Sequence, residues 1–167
     1  MNEWITGRNP VYECLRANRR HFFRLLINKG SENKGRLREL ISLARQAQVK
    51  IAMVDKQRLD HIHQNHQGVA LEVDAYPYAD LFSILELARS REEPLFVLIA
   101  DQVQDVQNLG TLIRSAEIFG VHGVLIPARR SADVTPAVVN ASSGASEHMR
   151  ITQINLSQAI DQLKDEN

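Results

Sequence analysis

Two rhythms of apolar residues organise the chain, and they change over most clearly between Leu95 and Pro127. Leu95 to Ala100 is an unbroken apolar run, short enough and β-branched enough to predict a strand buried on both faces. Asp101 ends it, and a polar loop follows. Asn108 then sits where a helix N-cap belongs, because Leu109, Leu112, Ile113, Ala116 and Phe119 recur at helical spacing after it. Gly120 stops that helix, and a second apolar run, Gly123 to Ile126, ends at Pro127. The unit predicted is strand, loop, helix, strand, with the right-handed crossover that parallel strands require.

Upstream, Asn9 and Pro10 predict a cap and a first helical residue, with Val11, Cys14 and Leu15 as the apolar face. Phe22 to Asn28 reads as a strand closed by Gly30; Leu37, Leu40, Ile41 and Ala44 read as a helix; Val49 to Val54 returns as a strand. A short helix from Lys56 to about His63 and a strand from Val69 to Val73 complete an α/β unit over residues 1–75. Residues 76–94 carry Leu81, Ile84, Leu85 and Leu87 at helical spacing between Pro77 and Pro94, which predicts a linker helix. Residues 95–167 form the second unit. There Thr135 and Pro136 start a helix that Ser142, Ser143 and Gly144 end, Met149 to Ile154 is a strand, and Leu156, Ile160 and Leu163 mark a last amphipathic helix.

Composition narrows the classes. The formal net charge is zero over 167 residues, but residues 1–60 hold 13 Lys and Arg against 6 Asp and Glu, and the remainder holds 7 against 14. A neutral chain with a basic front can still present phosphate-binding surface. The single cysteine, Cys14, falls on an apolar helix face, so it belongs to a core, forms no disulfide within the chain and suits a reducing cytoplasm. The opening residues MNEWITGRN contain no apolar run, and no later stretch has membrane-spanning length, so secretion and membrane insertion are not expected.

The candidate chemistry lies on the helix after Asn108. Gly110 and Arg114 are four apart and Thr111 is three before Arg114, so all three share a face, with the glycine expected to leave space beside the guanidinium. Asn108 and the first-turn N–H groups add donors that suit a phosphate or a ribose. The plainer alternative is that Asn108 only caps the helix and Arg114 pairs with Glu117. His61, His63 and His66 lack metal-ligand spacing, so no metal is expected. Ser143 lacks the glycine of a nucleophile elbow, and the glycines after Asp101 are too sparse for a dinucleotide loop.

The run DVQNLGTLIRSAEIFGVHGVLIP resembles the first signature motif of the SpoU branch of the SPOUT superfamily, matching at Asn108, Gly110, Arg114, Ala116, Phe119 and Gly120. Val106 departs from it where the family usually has proline. The following RRSADVTPAVVNASSGASEHMRI is similar to the family's next segment. Gly7, Asn9, Pro10 and Val11, with His66, Gln67 and Gly68, resemble pieces of the substrate-binding domain that precedes it in many SpoU enzymes.

That resemblance implies an α/β chain: a small ribosomal-protein-like RNA-binding domain, then part of a Rossmann-like SPOUT domain with a parallel sheet. It implies methylation of ribose 2′-hydroxyls of rRNA or tRNA with S-adenosylmethionine, with Arg114 orienting ribose and phosphate and aiding deprotonation, and Asn108 bracing the loop or touching substrate. The RNA face would draw on Arg8, Arg16, Arg19, Arg20, Arg24, Lys29, His66, Gln67, Arg129 and Arg130; a solvated basic surface is the alternative for the charged ones. The family's Gly-Glu-Gly loop and knot segment, which hold the cofactor and support a homodimer, are expected beyond Asn167, so the chain reads as C-terminally truncated and inactive by itself. A non-catalytic RNA-binding protein is the second reading, and a nucleotide-dependent enzyme of another α/β family the third.

Overall fold

The computed structural model describes residues 2–165. In chain order it contains β1 (Glu3–Thr6), α1 (Arg8–Ala17), β2 (Phe22–Asn28), α2 (Arg36–Gln46), β3 (Lys50–Val54), α3 (Lys56–Asp60) and β4 (Val69–Val73). After these come α4 (Leu81–Arg91), β5 (Val97–Ile99), α5 (Val106–Ile118), β6 (Gly123–Ile126), α6 (Pro136–Ala141), a 3-10 turn at Ala145–Glu147, β7 (Ile151–Gln153) and α7 (Leu156–Asp165).

The first sheet has strand order β1-β4-β2-β3, with β2 and β3 parallel and the other pairs antiparallel. Its alternation separates two cores. Leu25 and Ile27 of β2 and Val69, Leu71 and Val73 of β4 join Val11, Cys14, Leu37, Leu40 and Ala44 under α1 and α2. The alternate residues Leu26 and Ala70 meet Leu59 of α3 on the other face. Strand β1 was not expected from its sequence; with only four residues it depends on pairing from Glu3↔Val73 to Thr6↔Ala70 for its definition.

The second sheet is parallel throughout, in the order β5-β6-β7. Central β6 is buried on both faces: Val124 and Ile126 face the core shared with α5 and α6, and Leu125 faces Leu81 and Ile84 of α4 and Ala159 and Leu163 of α7. Each such side chain contributes about 1.5–3 kcal/mol when fully buried. Helix α4 is therefore a layer of the second sheet and not a free connector. Strand β5 differs from the expectation of two buried faces. It is an edge strand, with Ile99 and Phe96 exposed, because a short apolar run reads the same in either position.

Both predicted caps fall two or three residues too late. Gly7, at φ 86°, is the N-cap of α1, which places Asn9 and Pro10 in its first turn. Asp105 is the N-cap of α5, its carboxylate accepting the Asn108 N–H at 2.8 Å, so Asn108 is a first-turn residue. Val106, where the resembling family has proline, is the first helical residue, the position proline tolerates best. The expected end of α5 at Gly120 and the Thr135–Pro136 start of α6 match the structure.

A buried clamp joins the two sheets. Arg20, in the turn between α1 and β2, is fully enclosed, its Nε and one terminal nitrogen donating to the two Glu147 oxygens at 3.0 and 2.8 Å. Its other terminal nitrogen donates to Glu3 and to the Asp74 carbonyl. Burial alone would lower the Arg20 pKa, but Glu147 and Glu3 more than reverse that and hold it above the ordinary value. Arg19 donates to the carbonyls of Glu147, Met149 and Pro77, and the Tyr76 hydroxyl donates to those of Ser146 and Met149. Burial, the main cause, raises the Tyr76 pKa, and it likewise pushes up the Cys14 thiol, leaving it a core group. Arg20→Ala should therefore leave Glu147 buried and unpaired, costing about 3–5 kcal/mol in urea unfolding, whereas the double change Arg20→Met with Glu147→Leu should recover most of that. A single-variant loss below 1 kcal/mol, on the order of an exposed pair, would contradict the clamp.

Candidate functional site

Arg114 lies on the exposed side of α5 and lines a cleft of about 610 Å³ with Glu13 and Arg16 of α1, Glu117, Ser143 and His148. The cleft is built from both halves of the chain. Gly144, at φ 91°, lets the loop after α6 press on α1, where an added Cβ would stand 2.6 Å from that of Glu13. Glu13 in turn meets His148 Nε2 at 2.8 Å and Arg16 at 3.7 Å. Arg114 makes no hydrogen bond or ion pair among the described residues, so the pairing with Glu117 that offered the plainer reading is not formed. An unpaired guanidinium beside hydroxyls in an open cleft can grip a phosphate or a ribose.

Gly110 does something other than expected. It is buried against α6, where a Cβ would come within 2.9 Å of the backbone of Ala141 and Ser142. The glycine lets two helices touch; it does not open space beside Arg114. Asn108 stays exposed, and its side chain has no partner among the described residues.

Two family models match the chain in succession: "RNA 2'-O ribose methyltransferase substrate binding" over residues 4–79, and "SpoU rRNA Methylase family" over residues 95–167. The chain belongs to the SpoU family. A Bacillus subtilis protein named as a TrmH family tRNA/rRNA methyltransferase is 34% identical to this SpoU chain over 166 residues, covering 98% of the chain and 66% of the relative. An uncharacterized tRNA/rRNA methyltransferase of Mycolicibacterium vanbaalenii is 39% identical, with 98% and 52% covered. This SpoU chain thus spans between about half and two thirds of the length of the curated relatives it matches. Among solved structures, the SpoU methyltransferase AviRb of Streptomyces viridochromogenes in complex with AdoMet superposes with a TM-score of 0.74 at 21% identity, covering 98% of the chain and 60% of AviRb. An AdoMet-bound rRNA methyltransferase of Sinorhizobium meliloti gives 0.70 at 19% identity, with 98% and 58% covered. These likenesses establish the expected α/β fold with its parallel second sheet.

The basic residues singled out in the sequence separate by surroundings. Arg16 reaches the Arg114 cleft and stays exposed. Arg8 lines another cleft of about 770 Å³ with Lys34 and Lys56, its Nε donating to the Gln67 carbonyl while its backbone N–H donates to Gln67 Oε1. Arg24 pairs with Glu72 over the Trp4 ring, and Lys29 pairs with Asp55 at the surface. Arg129 and Arg130 are exposed after β6 but line neither of these clefts. Arg19 and Arg20 are the exceptions. Their guanidiniums face the interior clamp, and Arg20, with no exposed side-chain surface, has nothing to offer a phosphate. His66 is buried, Nδ1 accepting from Gly68 N–H and Nε2 meeting Asp60, so its ring holds the turn before β4. Sequence reasoning missed Glu13 and His148, which stand 135 positions apart and have no local signal linking them.

Gly110→Ala should destabilise the SpoU chain by about 1–3 kcal/mol through overpacking of α5 on α6, with exposed Thr111→Ala as a near-neutral control. Equal urea midpoints for the two variants would show that the close approach is not limiting.

Proposed function

We propose that this SpoU chain acts in the transfer of a methyl group from S-adenosylmethionine to a ribose 2′-hydroxyl of rRNA or tRNA. What carries the reading is Arg114, unpaired in a cleft that both halves build, within the segment that resembles the family's first motif. The domain boundaries follow from it: residues 1–75 grip RNA, 76–94 connect, and 95–167 present the reacting ribose. The exposed charges Arg16, Arg24 and Lys29 and the half-buried Arg8 supply the RNA-facing surface, with Arg129 and Arg130 on the far loop.

A ribose hydroxyl is a poor nucleophile. A fixed guanidinium beside it lowers the cost of the negative charge that develops on oxygen as its proton leaves, and it holds the adjoining phosphate at the same time. Arg114 does this without first breaking a pair of its own. In this reading Asn108, six residues earlier on α5 and with a free side-chain amide, holds a second polar group of the bound RNA. S-adenosylmethionine supplies the electrophilic methyl group when bound. Ligands of such sheets gather at the C-terminal ends of the strands, but the clefts containing Arg8 and Arg114 lie elsewhere, so no side chain of this chain is assigned to the cofactor.

Two copies fit the reading as well. Ile118 and Phe119 at the end of α5 and Phe96 beside β5 are apolar and more than half exposed, surface of the kind association covers. Sedimentation equilibrium that returns the single-chain mass at every concentration would remove that part.

Joined to the family's cofactor-holding segment and incubated with methyl-tritiated S-adenosylmethionine and rRNA or tRNA transcripts, this chain should label RNA at a linkage that resists alkali, because a 2′-O-methyl group blocks the hydroxyl that cleaves the chain. Arg114→Ala should lower labelling by about 10²–10³-fold, while RNA affinity changes by no more than roughly fivefold, the worth of one surface contact. Label that alkali releases as ordinary mononucleotides would mean base methylation. RNA binding without label, with the cofactor-holding segment joined, would favour the non-catalytic alternative.

A further inference from the structure

Between the Arg114 cleft and the cleft containing Arg8 lies a third, of about 390 Å³, that neither the motif nor the basic surface accounts for. It shares Ser143 with the first and Gln67 with the second, so the three run in sequence across the junction of the two sheets. Its chemistry differs from theirs. No Asp, Glu, Lys or Arg lines it; instead five amides do, Asn9, Asn65 and Gln67 from the front half and Gln107 and Asn140 from the back.

Most of that hydrogen-bonding capacity is unspent. The side-chain amides of Asn9, Asn65 and Gln107 have no partner among the described residues, and all three residues are exposed. Asn140 is half satisfied: Nδ2 donates to Thr6 Oγ1 at 3.3 Å, and Oδ1 is buried with no partner. Turning that amide over only moves the deficit to nitrogen. A buried polar atom without a partner costs about 1–3 kcal/mol, which a bound ligand can return. His63 adds an aromatic wall, its ring held by the Asn65 N–H donating to Nδ1 at 3.1 Å.

We propose that this cleft is a nucleobase subsite, reading an RNA base within one nucleotide of the ribose at Arg114. An amide places a donor and an acceptor side by side, as the edge of a base does, and an imidazole offers a face for stacking. A phosphate or carboxylate would find no charge here, whereas both are served by the charged clefts on either side. A neutral, planar group with several donors and acceptors fits what remains. The inference rests on the RNA reading above and adds to it where sequence preference resides.

Fluorescence anisotropy with labelled RNA hexamers of A, C, G or U, and an abasic ribose-phosphate hexamer of equal charge, tests this on the chain as it stands. At least one base should bind about fivefold or more tighter than the abasic hexamer. Asn9→Ala and Gln107→Ala should each erode that preference without weakening abasic binding, whereas Arg114→Ala should weaken all five probes together. Both amides are exposed and unpaired, so unchanged melting curves should accompany these variants. Five equal affinities, or amide variants that lose the abasic probe as much as the others, would overturn the subsite and leave the RNA reading intact. Failure of the unmodified protein to bind any of the five at low salt would remove both.

Discussion

The Arg20–Glu147 pair is the interaction on which the rest of the molecule depends. It lies where the turn between α1 and β2 meets the 3-10 turn before β7, fully out of solvent, with two hydrogen bonds between the partners and further ones to Glu3 and Asp74. A buried ion pair of this kind adds little net stability against an apolar replacement, but it is intolerant of any other arrangement. Arg19 and Tyr76 extend the same intolerance to five backbone carbonyl contacts around it. The two sheets are thereby held in one relative placement, and an apolar core containing residues of α1, α2, α5 and α6 continues across the join.

That placement is what makes the clefts. The Arg114 cleft needs Glu13 and Arg16 from α1 as well as Arg114 from α5, and the amide cleft needs Asn9 and Asn65 as well as Gln107 and Asn140. Neither is a property of one half. Two glycines allow the parts to come close enough, Gly110 between α5 and α6 and Gly144 against α1. The polarity along the junction then changes from charged, to neutral and amide-rich, to charged again, a sequence suited to a chain that alternates phosphates with bases.

Local pattern and global arrangement account for different parts of this result. The runs Val69–Val73 and Gly123–Ile126 and the helical spacing of Leu109, Ile113 and Ala116 were legible because their burial depends on a period that neighbouring residues set. The Asn9 and Asn108 caps were misplaced because Asn, Asp and Gly compete for that role over three or four residues, and the backbone chose Gly7 and Asp105. Strand β1 and the edge position of β5 depend on which partner lies alongside, a choice made outside the strands themselves.

The sequence by itself determined the α/β order of elements after β1, the parallel second sheet and the residues that resemble the SpoU motif, since all of these are written in spacings of a few positions. Only the tertiary structure decided that Arg19 and Arg20 turn inward while Arg16 faces the Arg114 cleft, that Gly110 serves helix packing, and that Glu13 meets His148. A charged side chain looks the same in sequence whether it faces water or a buried carboxylate. Its burial is set by elements more than a hundred residues away, and no local period carries that information.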